Sequence, residues 1–283
     1  MVKRIITAIV ALGVFIPILI LSDTWVFPIA MGVCTSIGVY EMIRCIGQKK
    51  NFFLIIPLCA ASMFMPIFIR CVSLYMDKDL SVFLMAAVVL FIAVSLYVFT
   101  VAVFGNKTLN IADAGLLLAV FLYVNAAYTA TVYIRDFEKN GEYLFYLPFL
   151  IAWVTDTFAY FSGRLFGKHK LIPAVSPKKT VEGAIGGTIF GAISMVLYAF
   201  VMSQIPTVGV GKPDYVVLTI FGIIIPIVGQ IGDLIMSVIK RHYKIKDYGN
   251  FFPGHGGMLD RFDSALANLL VLAAACAYFN FFK

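Results

Sequence analysis

The feature that most constrains this chain is a succession of apolar runs, each long enough to cross a lipid bilayer. A spanning helix needs about 20 mainly apolar residues, and about nine runs approach that length. The runs are 5–22, 24–46, 52–76, 81–104, 110–133, 142–165, 183–204, 215–239 and 262–282. Hydrocarbon offers the backbone no hydrogen-bond partner, so each run is predicted to be a helix. The sequence therefore predicts an all-α, polytopic integral membrane protein with about nine transmembrane helices.

Composition and charge exclude most classes of soluble protein. Hydrophobic residues make up 61% of the chain and charged residues 13%, with a mean hydropathy of +0.96. A soluble domain has about a quarter charged residues. The net charge of +7 suits anionic lipid headgroups and phosphate groups. Nucleic acid is not expected as a partner, because no soluble domain is predicted that could bind it.

The distribution of lysine and arginine predicts the orientation. Nine spans place the two termini on opposite sides, and most of the 22 lysines and arginines then fall on the N-terminal side. Lys3, Arg4 and Lys107 are among them. Cytoplasmic segments carry such an excess. The N-terminus and both long basic loops, 164–182 and 240–261, are therefore expected in the cytoplasm.

Unusual chemistry is concentrated in the second half of the chain. Residues 1–140 are expected to have few buried charges, Arg70, Asp113 and little else, and are predicted to be transmembrane helices that act mainly as scaffold. Residues 141–283 include both basic loops and are predicted to form the catalytic region. Charge at membrane depth is costly and usually marks function.

A polar stripe is predicted along the eighth span. Asp233, Ser237 and Lys240 have the spacing i, i+4 and i+7, so they share one helix face, and Arg241 follows at its end. The stripe leads into the basic loop, which favours a functional role for Asp233. The alternative is a structural ion pair with Lys240 or Arg70.

The loop after this span is rich in glycine. Glycines such as Gly256 and Gly257 tolerate positive φ and expose backbone N–H groups, which suit phosphate oxygens before a helix N-terminus. A helix is predicted to begin near 258–260, with Asp260 and Asp263 in its first turn. Simple helix capping is the alternative for these aspartates. His255 is a candidate proton donor or phosphate contact, or else a turn residue.

The first basic loop contains the segment SPKKTVEG at 176–183. Its adjacent lysines, Lys178 and Lys179, could clamp a phosphate, although topology alone would also explain them. Thr180 is predicted to cap the next helix, with Glu182 in its first turn. A Ser-Pro turn is expected at Ser176.

Two further features lie within the predicted spans. Asp156 in the sixth span is expected to line the active site, or to pair with Arg164 or a loop lysine. In the seventh span, glycine recurs every four residues at 183, 187 and 191, a stripe that lets another helix approach closely. The same stripe would serve a homodimer or packing within the chain.

A divalent metal fits the carboxylates of the second half. Asp233 and Asp260 are predicted to come from facing ends of consecutive helices. Mg²⁺ binds a few carboxylate oxygens and completes its shell with water and substrate phosphates. The residues alone therefore indicate metal-dependent phosphate chemistry at a membrane surface.

The segment 237–263 resembles the signature of the phosphatidate cytidylyltransferase family, also called CDP-diacylglycerol synthases. That signature reads Ser-x-apolar-Lys-Arg, four residues, Lys-Asp-x-Gly, then Pro-Gly-His-Gly-Gly, two residues, and Asp-Arg-x-Asp. The matching residues are Ser237, Lys240, Arg241, Lys246, Asp247, Gly249, Pro253, Gly254, His255, Gly256, Gly257, Asp260, Arg261 and Asp263. The segment 176–183 and the Gly232-Asp233 pair also look like family features. The resemblance is strong over 150–265.

The resemblance implies an activity, a cofactor and a location. The enzyme would transfer CMP from CTP to phosphatidic acid with Mg²⁺, a second cation being left open, and release CDP-diacylglycerol and pyrophosphate for phospholipid biosynthesis. Asp233 and Asp260 would bind the metal, with Asp263 as a third ligand. The implied location is a bacterial plasma membrane.

The same resemblance, together with the residues themselves, suggests roles for further positions. His255, Lys240 and Arg241 join the three aspartates as catalytic candidates. The candidate substrate contacts are Ser176, Lys178, Lys179, Thr180, Glu182, Asp156, Ser237, Lys246, Asp247, Gly256, Gly257 and Arg261.

Two other functions compete with this interpretation. A CTP-dependent polyprenol kinase would share the nucleotide and a membrane acceptor, but the complete signature argues against it. An ion-coupled transporter would use Asp156 and Asp233 as coupling sites. The charges at helix ends and the long polar loop suit surface chemistry better.

Overall fold

The fold is built almost entirely from helices. The computed structural model describes residues 2–105 and 109–283, so Lys107 lies outside the described residues, as do the side chains of Lys3 and Arg4. The helices are α1 (Val2–Ile20), α2 (Val26–Cys45), α3 (Phe52–Tyr75), α4 (Leu80–Phe104), α5 (Ile111–Phe137), α6 (Gly141–Leu144), α7 (Leu147–Phe166), α8 (Val181–Gln204), α9 (Tyr215–His242) and α10 (Leu259–Cys276). Two short strands, β1 (Lys170–Ile172) and β2 (Ser176–Thr180), precede α8.

The prediction of an all-α, multi-pass membrane protein is confirmed. Seven segments of the described chain are long and apolar enough to cross a membrane: α2, α3, α4, α5, α6 with α7, α8 and α9. The predicted count of about nine is therefore approximate. α10 is shorter, with 18 residues, and it carries Asp260, Arg261 and Asp263 within its first five positions. α3 is one helix despite Pro57 and Pro66.

The chain divides into two compact units. The first contains residues 1–137 and 242–261, and the second contains 138–241 and 262–283. The predicted division into a scaffold of residues 1–140 and a catalytic region of residues 141–283 stays a prediction. The Gly-rich loop belongs to the same compact unit as the N-terminal helices.

The first unit is built around α2, α3 and α5. α2 and α3 approach closely at Gly32, where a side chain would meet the carbonyl oxygen of Met63 at 2.8 Å. α3 and α5 are linked by Asn125, whose Nδ2 donates to Ser62 Oγ at 3.2 Å. Hydrogen bonds between helices satisfy polar groups that the bilayer could not.

A buried ion pair closes one end of this unit. Arg70 on α3 is only 2% exposed, and its guanidinium contacts Asp136 Oδ1 on α5 at 2.6 Å and donates to the carbonyl of Thr24. The prediction that the first half holds few buried charges beyond Arg70 and Asp113 was wrong. Asp136 and Glu41 are both buried, and Asp113 is only half-buried.

The second unit is held together by the glycine stripe of α8. Side chains at Gly183 and Gly187 would meet carbonyl oxygens of α7 at 2.7 and 2.8 Å. At Gly191 a side chain would meet Thr155 Oγ1 at 2.6 Å and Pro226 of α9 at 2.7 Å. The stripe is thus used within the chain, which removes the argument it offered for a homodimer.

The remaining helices of the second unit are tied by amides. Gln230 on α9 donates to Thr188 Oγ1 on α8 at 3.0 Å. Asn268 on α10 donates to the carbonyl of Pro148 on α7 at 3.2 Å, and it fills the space left by Gly229. Such small-residue contacts and interhelical hydrogen bonds are what membrane helices use in place of a hydrophobic driving force.

The first basic loop is more ordered than predicted. β1 and β2 form an antiparallel hairpin, so Ser176 lies in a strand and not in the expected turn. Thr180 caps α8 as predicted, since its Oγ1 accepts from the Gly183 N–H at 3.1 Å.

We expect Gly187→Ala to destabilise the protein by about 1–3 kcal/mol, because the new methyl group would be forced into the α7 backbone. Gly115→Ala is the matched control, since nothing lies within 4 Å of a methyl group there. The measurement is thermal unfolding of the purified variants in detergent. Equal melting temperatures for the two variants would contradict tight α7–α8 packing.

Candidate functional site

The second unit contains a cluster of carboxylates and lysines, which we call the carboxylate–lysine cluster: Asp156, Lys179, Asp233, Lys240 and Asp263. Its centre is Asp233 on α9. The Asp233 Oδ2 atom lies 2.5 Å from the ammonium of Lys179 on β2, and Oδ1 accepts from Ser237 Oγ at 3.3 Å. The ion pair is partly buried, with side-chain exposures of 29% for Lys179 and 22% for Asp233. Lys179 was not among the partners considered for Asp233, and Arg70, which was, pairs with Asp136 in the first unit.

α7 and α10 add the other two carboxylates of the cluster. Asp263 on α10 interacts electrostatically with Asp233, Lys240 and Asp156. Asp156 Oδ2 on α7 accepts from Ser264 Oγ at 3.3 Å. Lys240 is 9% exposed, so it supplies positive charge from a largely buried position. Four elements of one unit therefore bring three carboxylates and two ammonium groups together.

The hairpin is attached to the end of α9. Arg241 Nε donates to the carbonyl of Val175, in the turn between the strands, at 3.2 Å. Arg164, considered as a partner for Asp156, instead donates to the hydroxyl of Tyr160 at 3.1 Å. The contact of Arg241 with Val175 and the ion pair of Lys179 with Asp233 hold the hairpin beside α9.

Some predicted substrate contacts already have partners in the structure. Glu182 Oε1 lies 2.7 Å from His169 Nδ1 and also accepts from the His169 backbone N–H at 3.2 Å. Lys178 is exposed, whereas Ser176 is half-buried. The roles of these residues in substrate binding stay predictions.

The Gly-rich loop is folded around two carboxylates of the first unit. Gly254 and Gly256 have φ of +81° and +91°, the left-handed conformation that glycine tolerates. Asp260 Oδ2 accepts from the Tyr248 N–H at 2.7 Å and from the Gly257 N–H at 2.9 Å. One predicted phosphate donor, Gly257, is therefore bound to a side chain, and its role toward substrate stays a prediction.

The second carboxylate, Glu41, was missed by sequence reasoning. It lies on α2, and its two oxygens accept from the N–H groups of Met258 and Leu259, each at 2.9 Å. The sequence did contain a signal for it. Glu41 is a charged residue inside the apolar run 24–46, and Asp156 and Asp233 were predicted to be functional because they too lie inside apolar runs. The prediction that residues 1–140 act mainly as scaffold left Glu41 without a functional role.

The other candidates of the first unit are mostly at its surface. Lys246, Asp247 and Arg261 are exposed, and Gly256 is buried. The Nδ1 atom of His255 is buried without a hydrogen-bond partner among the described residues. Its three suggested roles stay open.

A metal fits the chemistry of the carboxylate–lysine cluster. Carboxylates that repel one another near a few lysines favour an added cation. In the described chain, however, no three His, Cys, Asp or Glu side chains converge closely enough to hold a metal by themselves. A cation here would need further ligands from substrate or water, and Mg²⁺ commonly completes its coordination in this way. Metal binding by Asp233, Asp260 and Asp263 stays a prediction.

Comparisons with known proteins agree with the resemblance read from the sequence. The model of the cytidylyltransferase family matches residues 2–279. A phosphatidate cytidylyltransferase of Bacillus subtilis is 32% identical over 98% of both chains. One from Staphylococcus haemolyticus is 33% identical over 95% of this chain and 96% of its own. One from Staphylococcus saprophyticus is 40% identical over 64% of this chain and 66% of its own.

We expect Asp263→Asn to stabilise the metal-free protein by about 0.5–2 kcal/mol, because Asp263 faces two carboxylates and one lysine. Thermal unfolding in the presence of a chelator measures the effect. Glu142→Gln, at an exposed carboxylate of the same unit, should leave the melting temperature unchanged. A lower melting temperature for Asp263→Asn would mean that attraction to Lys240 dominates.

Proposed function

Because the chain belongs to the cytidylyltransferase family, we propose that its carboxylate–lysine cluster is where CMP is transferred from CTP to phosphatidic acid. In this reaction a phosphate oxygen of phosphatidic acid attacks the α-phosphorus of CTP. A new P–O bond forms as the bond between the α-phosphorus and the bridging oxygen breaks, and pyrophosphate leaves with that oxygen. The product, CDP-diacylglycerol, is a precursor in phospholipid biosynthesis.

The observation that carries the proposal is the meeting of Lys179 and Lys240 with Asp233 and Asp263 inside one unit. Both substrates are anions, so their approach must be offset by positive charge. Two unit charges about 4 Å apart interact by about 4 kcal/mol at an effective dielectric constant of 20. Ammonium groups held in place by β2 and α9 therefore supply charge neutralisation without reorganising during the reaction.

The protein's task is mainly to position the two phosphates. Lys179 and Lys240 would bind phosphate oxygens, with Lys178, Arg241 and Arg261 as further contacts. The attacking phosphate is already anionic, so no side chain needs to remove a proton from it. Holding the two reacting groups in line is by itself a large source of rate enhancement.

We propose Mg²⁺ as the metal, with Asp233 and Asp263 as ligands from the cluster and Asp260 as the third predicted ligand. The ion would stabilise charge on the triphosphate and on the leaving pyrophosphate. Asp233 needs a positive charge beside it, and Lys179 supplies one in the structure. A bound cation would meet the same need. A second cation stays open.

The proposed setting is the plasma membrane of a bacterium, with the N-terminus and both basic loops in the cytoplasm. The excess of lysine and arginine on that side supports the orientation. Phosphatidic acid would keep its acyl chains in the bilayer and present its headgroup at the cytoplasmic surface. A homodimer stays a prediction.

The position of the transferred label tests the proposed function. Purified protein in detergent, given phosphatidic acid, Mg²⁺ and CTP labelled at the α-phosphorus, should place the label in lipid. CTP labelled at the γ-phosphorus should leave its label in pyrophosphate, and a chelator should stop the reaction. Transfer of the γ-label to a polyprenol would indicate the kinase. Movement of a substrate into vesicles without any nucleotide-lipid product would indicate the transporter.

We expect Asp233→Ala to lower turnover on the order of 10²-fold or more, because it removes a proposed metal ligand and the partner of Lys179. The assay is the transfer of α-label, with membrane insertion checked by the yield of folded protein. Glu142→Ala, which also removes a carboxylate of this unit, and Lys49→Ala should retain activity. Near-native turnover of Asp233→Ala would remove the metal assignment.

A further inference from the structure

Glu41 is a buried charge in the half of the chain that was assigned to scaffold. Glu41 lies one turn before the end of α2 and is only 3% exposed. Its Oε1 atom accepts from Met258 N–H and its Oε2 atom from Leu259 N–H, both at 2.9 Å. A carboxylate that leaves water needs such compensation, and the first turn of a helix has N–H groups with no partner of their own.

The loop is shaped to admit this carboxylate. A methyl group added at Gly249 or at Gly257 would overlap the Glu41 carboxyl group. Two glycines from different parts of the Gly-rich loop thus face the same side chain. The close approach explains why neither position has a side chain.

Other contacts fasten the same loop to the N-terminal helices. Thr7 Oγ1 on α1 donates to the carbonyl of Pro253 at 3.0 Å. The hydroxyl of Tyr243 donates to Asp113 Oδ1 on α5. Glu41 differs from these because it binds the loop at the start of α10, next to Asp260.

We propose that Glu41 is a positioning residue for CMP transfer, which holds the start of α10 and thereby the carboxyl group of Asp260. The route is short. Glu41 binds the N–H groups of Met258 and Leu259, the two residues before Asp260, and Asp260 in turn binds Tyr248 and Gly257. The inference rests on the proposed function, because it concerns a carboxylate that is proposed to bind the metal.

The direct measurement is amide hydrogen exchange of residues 248–260 in the full-length protein in detergent. In Glu41→Ala, exchange should become faster at Met258 and Leu259, which lose their acceptor. It should also become faster at Tyr248 and Gly257, because Asp260 is no longer held. A variant that only lowers global stability would not select these four amides.

Kinetics show whether the anchoring matters for the reaction. Glu41→Ala should lower kcat roughly 10-fold to 100-fold, the usual effect of removing a group that orients a ligand. The Mg²⁺ concentration for half-maximal rate should rise, and the KM for phosphatidic acid should stay unchanged. Glu41→Gln should be intermediate, because its amide oxygen can accept from one N–H group while its NH₂ group faces the other.

The matched control is Asp136→Asn, another buried carboxylate of the same unit, whose partner is Arg70. It should reduce the yield of folded protein while the kinetic constants of the folded fraction stay unchanged. Gly249→Ala approaches Glu41 from the loop side and should reproduce the kinetic effect. Combined with Glu41→Ala it should add nothing further, because both changes disrupt one contact.

Three results would overturn the proposal. One is wild-type exchange at the four amides in Glu41→Ala, or in Glu41→Gln and Gly249→Ala where the alanine variant fails to fold. The second is faster local exchange with wild-type kinetic constants. The third is an Asp136→Asn enzyme with the same kinetic defect. A wild-type protein that transfers no CMP would instead refute the proposed function, and the exchange data would still decide whether Glu41 holds the loop.

Discussion

The structure depends on how an apolar chain compensates its few buried carboxylates. Three that are buried or partly buried have different kinds of donor: Asp136 has the guanidinium of Arg70, Asp233 the ammonium of Lys179, and Glu41 two backbone N–H groups. An uncompensated charge would cost several kcal/mol in such surroundings. The compensating groups come from distant parts of the sequence, so satisfying the carboxylates also fixes which segments meet.

The two units use this requirement differently. In the first unit the buried carboxylates hold separate segments together: Asp136 joins α3 to α5, and Glu41 with Asp260 shapes the Gly-rich loop. In the second unit Asp156, Asp233 and Asp263 share two lysines, so negative charge is in excess. An excess of negative charge lowers stability, and a bound cation would offset it.

Glycine provides the close approaches on which both units rely. The stripe on α8 lets α7 lie against its backbone, and that contact orients the helix that carries Asp156. In the loop, Gly249 and Gly257 make room for a carboxylate rather than for another helix. Glycine thus serves helix packing in one unit and a polar contact in the other. The regular spacing in the sequence predicts the helix packing but not the polar contact.

Much of this protein was determined by its sequence. The apolar runs specified helices because a bilayer leaves the backbone no other partner, and the signature residues specified the family. Local rules also predicted the Thr180 cap and the start of α10, because these depend on neighbouring residues. Only the tertiary structure decided that Lys179 pairs with Asp233 and that Glu41 holds the Gly-rich loop. Those partners are 54 and more than 200 residues apart. The sequence shows that a buried charge needs a partner, but the partner is set by which distant segments meet in the fold.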